Sequence, residues 1–164
     1  MISLERRLVR ALIAVAATTI AYGCTEPVQS APPKTPIDAP LEARLEPGDR
    51  SPQVGSIVRV ALALKGGHAS DVASFTARIA YDPTRLRYLD EVAIEDGATR
   101  VINPQHGVLR VAGIAPAGFP DGKLSVVRFT VLGRDALSSL RLTVDEMHTA
   151  TNGDVRTGLR VGDP

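Results

Sequence analysis

The chain is predicted to be all-β, a sandwich of two sheets and about nine strands, on three observations. Apolar residues recur with period two from Leu41 onward, which places one side-chain set on a core and the other toward solvent. Breakers rich in Gly, Pro and Asn cut that pattern into short runs. No stretch beyond residue 41 sustains a long amphipathic helix. Many short strands, each with one apolar face to bury, call for two packed sheets.

The elements follow in order. Leu41, Ala43 and Leu45 alternate with Glu42, Arg44 and Glu46. Val58, Val60, Leu62 and Leu64 alternate with Arg59, Ala61, Ala63 and Lys65, and Gly66-Gly67 ends the run. Phe75, Ala77, Ile79 and Tyr81 alternate with Ser74, Thr76, Arg78 and Ala80, and Asp82-Pro83 ends it. Asp82 can accept bonds from nearby turn backbone while Pro83 presets φ for the turn. Further strands are expected over 86–89, 99–103, 108–114, 124–132, 140–147 and 159–161. The segment 103–107, NPQHG, is predicted to be a hairpin loop, 115–122, APAGFPDG, a longer loop, and Asn152-Gly153 a tight turn.

The first forty residues have a different character. Arg6, Arg7 and Arg10 precede an uncharged run, ALIAVAATTIA, and the sequence Tyr22-Gly23-Cys24. A basic start, a short apolar stretch and small residues at a cleavage site mark a secretory signal. The apolar run is shorter than the roughly 20 residues of a membrane span. The ending Ala21-Tyr22-Gly23-Cys24 resembles a bacterial lipobox, which implies lipid on Cys24, the one cysteine of the chain. Residues 1–23 are therefore expected to be a lipoprotein signal peptide. Residues 24–40 are expected to be the lipidated Cys followed by a Pro-rich tether, and 41–164 the folded domain. The tether, extended at about 3.1 Å per residue, would reach roughly 50 Å from a lipid surface. The expected location is extracytoplasmic, on a bacterial membrane.

Composition excludes several functions. The formal charge is +1 over the whole chain and −1 once residues 1–23 are removed, which gives no electrostatic reason for nucleic-acid binding. One cysteine leaves no internal disulfide. His68, His106 and His148 have no Cys or His at ligand spacing, so no metal is expected. Asp90-Glu91 and Glu95-Asp96 are acidic neighbours, but adjacent strand residues face opposite ways and loop pairs are solvated. Asn152-Gly153-Asp154 lacks the repeated acids of a calcium loop. Neither a phosphate-cradling glycine loop nor a GxSxG nucleophile is present. The chain is expected not to be an enzyme and to need no cofactor.

Four segments carry a resemblance to a known family. VGSIVRVALALKG at 54–66, SFTARIAYDPTRLRYL at 74–89, DGKLSVVRFTVLG at 121–133 and LRLTVDEMHTATNGDVRTGLRV at 140–161 are similar, in order and spacing, to cohesin domains. The resemblance implies a jelly-roll sandwich that binds dockerins through one sheet face. In cellulosomal members the strand before Tyr-Asp-Pro presents an Asn and an acid to the partner. Those positions here are Ser74 and Thr76, which puts recognition of a standard cellulosomal dockerin in doubt. Ser74, Thr76 and Arg78 share the face opposite Phe75 and Ile79 and are the candidate contacts with an exported protein partner. Two alternatives are carried beside this one. A polysaccharide-binding module would need an exposed aromatic, and Phe119 in the long loop is the candidate. A structural lipoprotein of an envelope or secretion assembly would need no such feature.

Overall fold

The computed structural model describes residues 40–67 and 69–162. Cys24, the signal and tether segments up to residue 39, and His68 lie outside the described residues. The strands are β1 (Glu42–Pro47), β2 (Ile57–Lys65), β3 (Val72–Ala80), β4 (Leu86–Glu91), β5 (Thr99–Gln105), β6 (Val108–Ile114), β7 (Lys123–Val131), β8 (Arg141–Thr149) and β9 (Arg160–Gly162). One sheet has the order β4-β7-β2-β1-β9 and the other β5-β6-β3-β8. All pairs are antiparallel except β1 with β9. The fold is the two-sheet sandwich that the alternation predicts, with the jelly-roll form that the resemblance implies.

Period two decides what the sheets bury. Val58, Val60 and Leu62 of β2 point inward against Phe75, Ala77 and Ile79 of β3, and Leu109, Val111, Leu124, Val127 and Met147 fill the space between them. Phe129 sits among the aromatic rings of one end. Tyr81 meets it edge-on at 5.2 Å between centroids and Tyr88 at 6.2 Å, geometries that suit the ring quadrupoles. Tyr81 is half-buried at the rim of the core, while Leu86 on the far side of the turn is fully buried. The Asp82 carboxylate accepts from the Thr84 N–H at 2.8 Å and the Thr84 hydroxyl at 2.6 Å, closing the Asp-Pro turn as expected.

The structure departs from the alternation in two places. The 103–107 loop is shorter than predicted, because β5 continues through Pro104 to Gln105 and the chain reverses at His106-Gly107. Pro lacks the N–H a central strand needs, but β5 is an edge strand bonded to β6 alone. The second departure concerns Phe119, expected to be an exposed loop residue and in fact fully buried. Its loop folds back over the end of the sandwich. Gly118 has φ +83°, and a Cβ there would run into the Ser70 carbonyl, so the backbone can press against the 69–71 turn only with glycine at this position. Phe119 then inserts edge-on against Phe75, at 5.4 Å between centroids.

Arg100 completes the seal. Its guanidinium lies 5.5 Å from the Phe119 ring centre. It also donates to both carboxylate oxygens of Asp96, at 2.8 and 2.5 Å, and through Nε to the Leu124 carbonyl. The two charged side chains are each 6 % exposed. The arginine bonds, joined by the Ala98 N–H, hold the Asp96 carboxyl at about 2, against the upward pull of burial.

Candidate binding face

The candidate contacts lie on the outer face of the β5-β6-β3-β8 sheet. β3 is an inner strand of that sheet, so its outward residues sit near the middle of a broad surface. Register lays out the rows. Ser74 lies between Ile114 of β6 and His148 of β8, and Thr99 of β5 lies beyond Ile114. Thr76 lies between Ala112 and Glu146, with Val101 beyond. Arg78 lies between Arg110 and Thr143, with Asn103 beyond. Ser74, Thr76 and Arg78 thus share one face, while Phe75, Ala77 and Ile79 between them are buried.

Arg78 is occupied. Its Nε and Nη2 form a fork with the Asp145 carboxylate at 2.6 to 3.1 Å. Asp145 reaches this face because β8 carries an extra residue between the partners of Thr76 and Ala77. Both side chains are partly exposed, so the pair organises the surface more than it stabilises the fold. At the β8 margin, Arg156 bonds both oxygens of Asp154 and the Asp145 carbonyl. Bonds from the Arg156 side chain and backbone hold the Asp154 carboxyl at about 2.

The same face carries features that sequence reading passes over. Val101 and Ile114 are 62 % and 60 % exposed. In the run Val108–Ile114, Arg110 sets the parity of the solvent side, and that parity already places Ile114 with Arg110. Val101 is harder to assign, because Ile102 beside it is equally apolar and the half-buried one.

The acidic neighbours do not make a catalytic pair. Asp90 is forked by Arg128 on the other sheet, and Asp96 is sealed under Arg100. Among the described residues no three His, Cys, Asp or Glu side chains come together as a metal site. Asn152, at φ +62°, turns the chain back so that Thr149 donates to the Gly153 carbonyl.

Solved structures share this architecture. A type II cohesin domain from the cellulosome of Acetivibrio cellulolyticus superposes with a TM-score of 0.59 at 13 % identity, over 76 % of this chain and 93 % of that one. The fold is that of a cohesin domain. The sixth cohesin of scaffoldin B from the same organism, solved in complex with a Cel5 dockerin mutant, gives 0.60 at 19 % identity, over 76 % and 95 % of the two chains. A non-cellulosomal cohesin from the archaeon Archaeoglobus fulgidus gives 0.57 at 18 % identity, over 75 % and 86 %. No protein-family model and no curated protein matches the chain. The cohesin likeness is one of fold, reached through a largely different sequence.

Proposed function

We propose that this chain is a non-catalytic docking module, displayed outside the cytoplasm on a lipid anchor at Cys24. It binds another exported protein through the outer face of β5-β6-β3-β8. The observation that carries the reading is the composition of that face on a cohesin fold: small polar Ser74 and Thr76 at its centre, flanked by exposed Val101 and Ile114. Exposed apolar side chains on one face, rimmed by polar ones, suit protein contact. The backbone beneath its β5, β6 and β3 part is regularly paired, with the register shifts confined to β8, so binding there would require little rearrangement. Dockerins are bound by cohesins of the same fold, as in the complex with the Cel5 dockerin. A dockerin-like exported protein is therefore the partner class proposed here. Ser74 and Thr76 replace the Asn and acid that the resemblance implies for cellulosomal members, so the partner differs from a standard cellulosomal dockerin.

Sugar binding loses its proposed contact, since the Phe119 ring is fully buried. Phe75 and Phe129 are buried too, and Tyr81 and Tyr88 lean on Phe129.

Photocrosslinking in the native cell tests the docking face. A photoreactive amino acid at Ala112, on the proposed face, should give a discrete protein adduct. The same amino acid at Ala61 of β2, on the outer side of the other sheet, should give none. Adducts from Ala61 alone, or from neither position, would contradict the proposal.

A further inference from the structure

On that docking reading, we infer that the partner's surface is acidic and apolar together. It lays apolar side chains on Val101, Ala112 and Ile114 and sets a carboxylate against Arg110. The inference rests on the docking reading and adds the partner's chemistry to it.

Two like charges face each other on this sheet. Register sets Arg110 of β6 directly opposite Arg78 of β3, and like charges opposed across an antiparallel pair repel. The fold neutralises one of the two. The extra residue of β8, Asp145, takes Arg78 in a two-pronged bond. Arg110 is exposed, and among the described residues nothing accepts from its guanidinium. Its neighbour on the other flank, Asn103, carries no charge. The backbone of Glu146, opposite Thr76, is two strands away, about 10 Å off or more.

The surroundings of Arg110 decide what can cover it. Ala112 is the next outward residue of β6, Val101 stands across from Ala112, and Ile114 follows. A neutral apolar partner would desolvate Arg110 without a counter-charge, which is costly. A polyanion without apolar groups would leave Val101 and Ile114 in water. A protein segment bearing both an apolar row and an adjacent Asp or Glu satisfies every group on this half of the face. Electrostatic matching of this kind fixes register and partner choice more than bulk affinity. The acid of the Thr76 row, Glu146, stands on β8, across β3 from Val101 and Ala112.

The test uses two synthetic sixteen-residue helical peptides as probes. They share one apolar i, i+4 row, flanked by Glu in one and by Lys in the other. Each is titrated into the isotope-labelled full chain while backbone amide shifts are followed. The Glu peptide should move the amides of Val101 and of residues 110–114. It should bind at least tenfold more tightly than the Lys peptide, and Arg110→Gln should remove most of that advantage without disturbing the remaining spectrum. Equal binding of the two peptides, an Arg110→Gln variant that keeps the full preference, or no shift at this face with either peptide would overturn the inference. So would equally tight binding of polygalacturonate at Arg110, which would show that the apolar row is irrelevant. Each of these results leaves the docking reading to its own crosslinking test.

Discussion

The Phe119 ring is held edge-on against Phe75 with the Arg100 guanidinium over it, and removing it would leave a void at the end of the core. Phe119→Ala should cost about 3–5 kcal/mol in urea unfolding, the usual range for a buried aromatic. A change within error would mean that the loop sits elsewhere and the ring is free. The Asp96–Arg100 pair makes a second prediction at this scale. Its folded carboxyl, at about 2, lies below the ordinary value near 3.8. A depressed folded pKa contributes stability that is fully present above the unfolded value and lost as pH falls through the folded one. The contribution of Asp96 should therefore be flat from pH 7 to about 5 and decline between about 4 and 2. Asp96→Asn should lower the urea midpoint at pH 7, and its acid decline should be shallower than that of the parent. The decline should not vanish, because Asp82, Asp90 and Asp154 are also held below their usual range. Parallel midpoint curves for the two proteins would show that the pair is not formed.

Among the elements, β3 and β6 bear the centre of the proposed docking face, and their fit depends on Gly113. It stands directly opposite Phe75, and a Cβ at that position would strike the Phe75 ring. Gly113→Ala should therefore push Phe75 out of its place, destabilise the fold by about 1–3 kcal/mol as overpacking does, and broaden amide signals along β3 and β6. Unchanged stability and sharp signals would show that the ring has room to move. Strand existence and facing were legible in the sequence wherever polar and apolar residues alternate cleanly, as in 74–81. They were less legible at 99–105, where Val101 and Ile102 are both apolar and Pro104 mimics a loop. Ser74, Thr76 and Arg78 could be placed on one face by parity alone. The partner of Arg78 could not, because Asp145 arrives on that face through a bulge, and a single inserted residue changes the parity of everything read across it. Phe119 was misread for a related reason. Loop composition reports exposure on average, whereas Gly118 and Gly122 let this loop pack closely on Ser70 and Leu64.

At the scale of the whole molecule, the described domain is proposed to supply a docking face and the N-terminal segment its address. Full-length Cys24→Ser expressed in a bacterium should fail to take up a labelled fatty acid that the parent incorporates and should keep an unprocessed N-terminus, because the thiol that would carry the acyl chains is gone. Normal processing and labelling of the variant would remove the lipid anchor from the account. The domain itself carries a cohesin fold at 13 to 19 % identity to the solved cohesins described. The core tolerates that divergence, since a buried face needs apolar residues of suitable volume and not particular ones. The outer face of β5-β6-β3-β8 is under no such packing constraint, and on the proposed reading its side chains set the partner. The most direct measurement compares the affinity of the crosslinked partner, once isolated, for two variants of the full chain. Thr76→Glu places a carboxylate at the centre of the β5-β6-β3-β8 face, where an acidic partner is repelled, and Ala61→Glu places one on the opposite sheet. The account predicts that Thr76→Glu weakens binding at least a hundredfold while Ala61→Glu leaves it within about twofold, both variants keeping the parent's far-ultraviolet circular dichroism. Full affinity in Thr76→Glu, or its loss in Ala61→Glu, would contradict it.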